Sequence, residues 1–177
     1  MVKSKPRVRL ERPSARRERD YLQAALRSRP LHRGYVVAAS APREYRAYLR
    51  AARRANQESF FVVDAPSGEL AGVININNIV RHASLSGQLG YYAFVPHAGN
   101  GLMREGLALV ISCAFRELGL HRLEANIQPG NRRSVALVEG LGFRREGKPR
   151  PFLKIGNRWR DHERWAVLKE DWRSHSG

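Results

Sequence analysis

Cys113 is the only cysteine in the chain, so an intrachain disulfide and a cysteine-built zinc site are both excluded. Its place in an apolar helical stretch fits a small core filler better than a nucleophile. No apolar run approaches the roughly 18 residues of a membrane span. The basic N-terminus is not followed by the apolar core of a secretory signal, and a cytoplasmic protein without membrane contact is expected. Three familiar site motifs are also missing. Gly101 is followed by Leu102 and Met103, not by the Lys-Ser or Lys-Thr of a nucleoside-triphosphate loop, and Arg104 stands where a dinucleotide fingerprint needs its third glycine. His162-Glu163 begins a zinc-protease pattern, but Ala166 occupies the second histidine position, so no metal is expected. Acidic residues are scarce: 16 against 32 Lys and Arg, a net charge of +16. Such a field favours RNA or another polyanion over a polycation; an arginine-rich composition without function is the alternative. The stretch Met1 to Arg19 is the densest in base, with eight basic and two acidic residues.

What is present centres on Tyr91 to Leu118. Tyr91, Tyr92, Phe94 and Val95 suit an extended buried segment. Gly99 and Gly101 follow, where the chain can turn and a ligand can approach the backbone. Met103, Leu107, Val110, Ala114 and Leu118 then recur at helical spacing. A strand, a glycine turn and an exposed helix N-terminus form an anion site, because free amides and the positive dipole end meet there. A plain glycine turn without a ligand is the other reading.

The rest of the chain punctuates this centre. Met1 to Pro6 reads as a basic tail and Val8 to Leu10 as a short strand. A helix from Pro13-Ser14 turns Tyr21, Leu22, Ala25 and Leu26 inward until Pro30 stops it. Ala41-Pro42 opens a second, with Tyr45, Tyr48, Leu49 and Ala52 inward. Phe60 to Asp64 and Leu70 to Val80 form a hairpin, with the amides of Asn75 and Asn77 on one face, lining a polar groove or facing solvent. Ser84 to Gly87 reads as a break. Arg122 to Ile127 is a strand with Leu123, Ala125 and Ile127 on one face; Arg132 to Leu141 is a helix closed by Gly142. Phe152 to Leu168 is a hairpin about Gly156-Asn157. One domain of 177 residues can bury a single substantial core.

Several motifs fall in one order: Leu89-Gly90-Tyr91, Gly99-x-Gly-Leu-Met, His121-Arg122, Ala125-Asn126, Pro129-x-Asn-x-x-Ser and Leu-Gly-Phe-x-x-Glu-Gly, closed by Trp159-Arg160-Asp161-His162 and Trp165. That order resembles the GNAT superfamily of acyl-CoA-dependent N-acetyltransferases over nearly the whole chain, and within it the ribosomal-protein N-terminal alanine acetyltransferases. The resemblance implies an α/β fold: a single-domain mixed, mainly antiparallel sheet of about six to seven strands, a splayed parallel central pair and about four helices. It would span residues 7–172, between a basic tail at 1–6 and a C-terminal tail at 173–177. It also implies acetyl-CoA as co-substrate, its pyrophosphate on Gly99, Asn100, Gly101, Leu102 and Met103, and its pantetheine on the backbone near Phe94 and Val95. Amides near Ala93 and Phe94 would stabilise the oxyanion, and Asn131 would contact the cofactor arm. The chain departs from the superfamily at Ala98, where Gln or Arg is usual, at Met103, where a small residue is usual, and at Val138, where a tyrosine often protonates the leaving thiolate.

Two catalytic residues are expected. In the ribosomal-protein branch a serine at the position of Ser134 is the thiolate's proton donor; a helix-cap hydroxyl is the competing reading. Glu124 is the candidate base, or equally an ion-pair partner of Arg122. Gln88 stands where relatives often carry Glu and cannot serve. His97 borders the glycine turn and is expected at the cofactor. The acceptor implied is a protein N-terminus on or near the ribosome, with RNA contact through the basic surface. A small-molecule amine, or an inactive basic RNA-binding scaffold, are the alternatives.

Overall fold

Runs of β-branched and aromatic residues build the centre of the sheet, because they fill a pleated surface well. Phe60-Phe61-Val62-Val63 lies in β2 (Glu58–Asp64) and Val73-Ile74 in β3 (Leu70–Val80). The computed structural model describes residues 6–175. Its seven strands form one sheet in the order β1-β2-β3-β4-β5-β7-β6, where β1 is Val8–Glu11, β4 Ser86–Ala93, β5 Arg122–Ile127, β6 Arg144–Ile155 and β7 Arg158–Leu168. Every neighbouring pair is antiparallel except β4 and β5, which are parallel.

Six α-helices occur among the described residues, not four: α1 (Glu18–Arg27), α2 (Arg29–His32), α3 (Pro42–Ala51), α4 (Leu102–Arg116), α5 (Arg132–Glu139) and α6 (Lys169–His175). One extra helix arises at Pro30. The first helix breaks at Ser28, and Pro30 takes an early position of α2, where its missing N–H has no helical partner to lose. The other is α6, which runs into the expected C-terminal tail.

Alternation along the strands gives each face its own core. Val62, Ile74, Ile76 and Leu123 pack against Leu107, Val110 and Ile111 of α4. On the opposite face, Phe61, Val63, Val73 and Phe94 pack against Tyr21 of α1 and Tyr45 of α3. Fully buried side chains such as Leu107 and Ile111 each contribute about 1.5–3 kcal/mol. The inward stripe of α1 is Tyr21, Ala24 and Ala25, whereas Leu26 is 57% exposed. The helical spacing of three and four continues to the buried Ser28 and leaves Leu26 off the stripe. The central strand begins at Ser86, so the expected break at Ser84 to Gly87 is already half sheet, and Phe94 and Val95 lie past its end. The last hairpin likewise starts at Arg144, before Phe152, and α5 ends at Glu139.

Two glycines let α4 approach the sheet. A Cβ at Gly106 would fall 2.6 Å from a methyl of Val62, and one at Gly72 would fall 2.3 Å from the Met103 sulfur. Val62 is fully buried in the sheet centre and has no room to yield. Gly106→Val should therefore cost about 1–3 kcal/mol through overpacking, read as a lower midpoint of chemical denaturation. An unchanged midpoint would mean that α4 is not seated so closely.

Candidate active site

The parallel pair holds for only four residues, from Ser86↔Arg122 to Leu89↔Ala125. Beyond that point β4 continues with β3 to Ala93↔Gly72, and β5 continues with β7 to Ile127↔Glu163. Each strand keeps its outer neighbour and loses its inner one, which opens a gap between them. Ladder parity decides which backbone groups face it. The Phe94 N–H donates to Ala71 O at 2.8 Å, toward β3. Antiparallel residues alternate, so Tyr91 and Ala93 turn their N–H groups the other way, into the gap. The Val95 N–H donates to Ser28 Oγ at 3.0 Å. Of the three residues expected at the pantetheine arm or the oxyanion, Phe94 and Val95 have amides engaged within the protein and the Ala93 amide faces the opening.

Past the strand, Gly99 and Gly101 sit at φ +87° and +82°, the left-handed region that glycine enters without steric cost. Gly101 is the N-cap of α4, and no side chain caps it. The amides of Leu102, Met103 and Arg104 in the first turn have no intrahelical acceptor. Leu102 and Met103 bury their side chains in the core, so only their backbone meets a ligand. Arg7 stands over the turn: its Nη2 donates to Asn100 O at 2.6 Å, and its Nη1 lies 3.0 Å from Glu105. The Arg104 guanidinium donates to Gly140 O at 3.0 Å. Two arginines and a helix dipole thus make one positive rim. His97 pairs with Glu69 at 2.8 Å beside it.

Ser134 lies in the first turn of α5, where the Asn131 Oδ1 caps the helix by accepting the Ser134 N–H at 3.3 Å. The Ser134 hydroxyl meets Tyr91 OH at 2.6 Å. Burial pushes the Tyr91 phenol up to about 12, the Ser134 hydrogen bond opposing it in part. Tyr91 therefore keeps its proton at any working pH. Glu124 projects from the other face of β5; its Oε1 accepts from Arg122 Nε at 2.9 Å, and Arg122 reaches on to Glu146 at 3.0 Å. Oε2 of Glu124 has no protein partner among the described residues.

A third wall comes from the segment after α1. His32, 6% exposed, donates from Nε2 to Ala93 O at 2.7 Å, and burial lowers its pKa. Gln128 donates to Gly34 O at 2.8 Å and Tyr35 to Gly130 O at 3.3 Å. Residues 32–35 thereby bridge the diverging ends of β4 and β5. Tyr21 and Tyr92 share a hydrogen bond at 2.7 Å beneath them. Arg7, His32 and Tyr91 were not singled out from sequence as site residues; their partners lie 43 to 93 positions away. No cluster of three metal-ligating side chains occurs among the described residues, nor any helix long and apolar enough to cross a membrane. Cys113 sits beside Glu117, and burial pushes its thiol up to about 11.

Residues 7–144 match the family model described as Acetyltransferase (GNAT) domain. The [ribosomal protein uS5]-alanine N-acetyltransferase of Escherichia coli (strain K12) is 38% identical over 113 residues, 64% of this chain and 58% of that protein. The chain spans about three fifths of the length of the curated relatives it matches. Among solved structures, Mycobacterium smegmatis RimJ in complex with CoA-disulfide aligns with a TM-score of 0.82 and 26% identity, over 93% of this chain and 83% of that one. A spermidine N-acetyltransferase from Vibrio cholerae, in complex with CoA and spermine, shares the fold with a TM-score of 0.80 at 20% identity, over 94% and 98%.

Proposed function

The chain belongs to the GNAT acetyltransferase family, and from that premise we propose that it transfers acetyl from acetyl-CoA to a protein N-terminal α-amine, foremost that of a ribosomal protein. The observation that carries this reading is the gap between β4 and β5, opening beside the uncapped start of α4. The amides of Gly101, Leu102, Met103 and Arg104, with Arg7, hold the pyrophosphate over the Gly99-Asn100-Gly101 turn. The backbone of Tyr91 and Ala93 pairs with the pantetheine arm. The Ala93 N–H then donates to the thioester oxygen as negative charge develops there. Asn131 supports this wall as the cap that sets Ser134.

The two faces of the sheet divide the proton work. On the α5 face, Ser134 gives its proton to the departing thiolate and regains one from solvent, while the Tyr91 hydroxyl holds it by hydrogen bond. On the opposite face, Oε2 of Glu124 takes the ammonium proton, directly or through water. The amine nitrogen forms the new bond to the acetyl carbon as the carbon–sulfur bond breaks. An α-amine has a pKa near 8, so a sizeable fraction is neutral at pH 7–8 and the base has little to do.

Charge bears on the acceptor. Arg33, Arg158, Arg160 and Arg164 are exposed, and Arg164 is level with Asn126 beside Glu124. A spermidine-like polycation would meet this surface and a +16 molecule with repulsion. Thiol release measured with an Ala-initiated ribosomal-protein peptide, the same peptide with a blocked N-terminus, and spermidine tests the assignment. The free peptide should be turned over and the other two should not. Preference for spermidine would overturn the acceptor.

A further inference from the structure

The geometry points to a second site: a basic groove that holds the phosphates of single-stranded RNA on the β1–β2 side of the sheet, two strands across from the β4–β5 gap. It is a cavity of about 630 Å³. Four guanidinium groups rim it, delivered by separate connections: Arg12 after β1, Arg53 and Arg54 after α3, and Arg81 after β3. One carboxylate answers them. Glu58 is paired with Arg12, and Arg81 lies 3.9 Å from its other oxygen. Arg53 and Arg54 are exposed and form no ion pair among the described residues. Four positive groups and one negative leave the rim at +3.

The groove is built in place. The Arg12 guanidinium lies 4.2 Å over the Phe60 ring and also donates to Ser59 O at 3.3 Å. The loop after α3 is tied to the sheet by the Ile79 N–H donating to Asn56 O at 2.9 Å. Leu49, Ala52, Ala55 and Pro13 give it an apolar floor, wide enough for a ribose or a base. Arginine forks suit phosphate oxygens better than they suit a scattered acidic surface. Near the N-terminus Arg9 and Arg17 pair with Glu11, Arg17 also with Asp20, and Arg7 with Glu105, while Arg16 and Arg19 are exposed outside the groove. Residues 1–5, part of the arm expected to touch RNA, lie outside the described residues.

Position makes the groove useful. Register sets Glu58 level with Ile76 and so with Leu89, the last residue of the parallel pair, whereas Arg81 follows the end of β3. From that level Ala93 lies four residues further along β4, about 13 Å at ~3.3 Å per residue, and β4 is two strands across from β2, about 10 Å at ~4.8 Å per strand. RNA in the groove lies on the β1–β2 side, beside the acetyl-transfer opening and not in it. An N-terminus presented by an RNA-rich particle could enter there while the groove holds the particle.

Fluorescence anisotropy of the full chain with a labelled oligouridine RNA tests this. Arg53→Glu with Arg54→Glu should weaken binding by about tenfold or more and make the salt dependence shallower by about 1.4 log units per log unit, two phosphates at ~0.7 each. Arg43→Glu with Arg46→Glu, on the exposed side of α3, changes net charge equally and should cost less than about threefold. Arg53→Gln with Arg54→Gln repeats the test without charge reversal. Acetylation of a short free peptide stays unchanged in all three, which separates failure of the groove from failure of the proposed reaction. Equal losses in the Arg43/Arg46 and Arg53/Arg54 pairs would reduce the effect to bulk charge. Displacement of the RNA by uridine monophosphate or an acidic peptide at similar concentration would overturn RNA as the occupant.

Discussion

Gly101→Val should abolish measurable acetyl-CoA binding, with affinity falling by about two orders of magnitude or more in calorimetry. The cause is conformational first. Gly101 holds φ at +82°, and a β-branched residue there costs on the order of 1–3 kcal/mol. The turn escapes that strain by moving the amides that the pyrophosphate needs. No neighbour obstructs the site in the free protein, since a Cβ would lie 3.9 Å from the nearest atom, an Arg7 nitrogen. The new side chain therefore projects into the open space where the proposed site puts the pyrophosphate. Gly101→Ala, smaller and less strained, should keep the fold and lose about tenfold or more. If both variants bind acetyl-CoA like the parent, the phosphates lie elsewhere.

The second large effect belongs to the hydroxyl pair. Ser134→Ala should lower kcat by about 10²-fold, the usual size of a lost general acid, with cofactor affinity nearly intact. Tyr91→Phe should lose less, because Ser134 still carries its own proton. The double variant should be no slower than Ser134→Ala alone, since the two hydroxyls act as one unit. The pH profile separates this from structural damage. The amine must be neutral to attack, so kcat/KM rises with pH through the amine's pKa, near 8. Tyr91, held protonated up to about 12, adds no descending limb near neutrality. Ser134→Ala should lower the whole curve and keep its shape. An equal loss of affinity and turnover would make Ser134 a structural residue.

Much of this architecture was legible in local pattern. Alternation in Arg122 to Ile127 marked β5 at both ends, and the glycine pair with a helical apolar stripe marked the turn and α4. Order among motifs identified the family. What escaped was what depends on distant partners. Ser134 is locally just a serine three residues past an asparagine; only folding brings Tyr91 against it. Arg7 looked like one base in the basic stretch Met1 to Arg19, yet it reaches a carbonyl 93 residues away. His32 carried no signal, because a side chain bonding to a strand's backbone leaves no period in the sequence. Amides near Ala93 and Phe94 were expected at the oxyanion; strand parity, legible only once the register is known, turns that of Phe94 toward β3 and that of Ala93 into the gap. Pro30 misled because proline ends a helix in its interior but is tolerated in the first turn of the next.

The central claim is that acetyl passes from acetyl-CoA to an α-amine at the gap between β4 and β5. Its most direct test uses a peptide with an N-terminal alanine and one internal lysine, incubated with the full chain and isotopically labelled acetyl-CoA, then sequenced by tandem mass spectrometry. The account predicts one label per peptide, on the α-amine, with the lysine untouched, and its loss in Gly101→Val. Label on the lysine alone, or none on the peptide while CoA is still released, would contradict it.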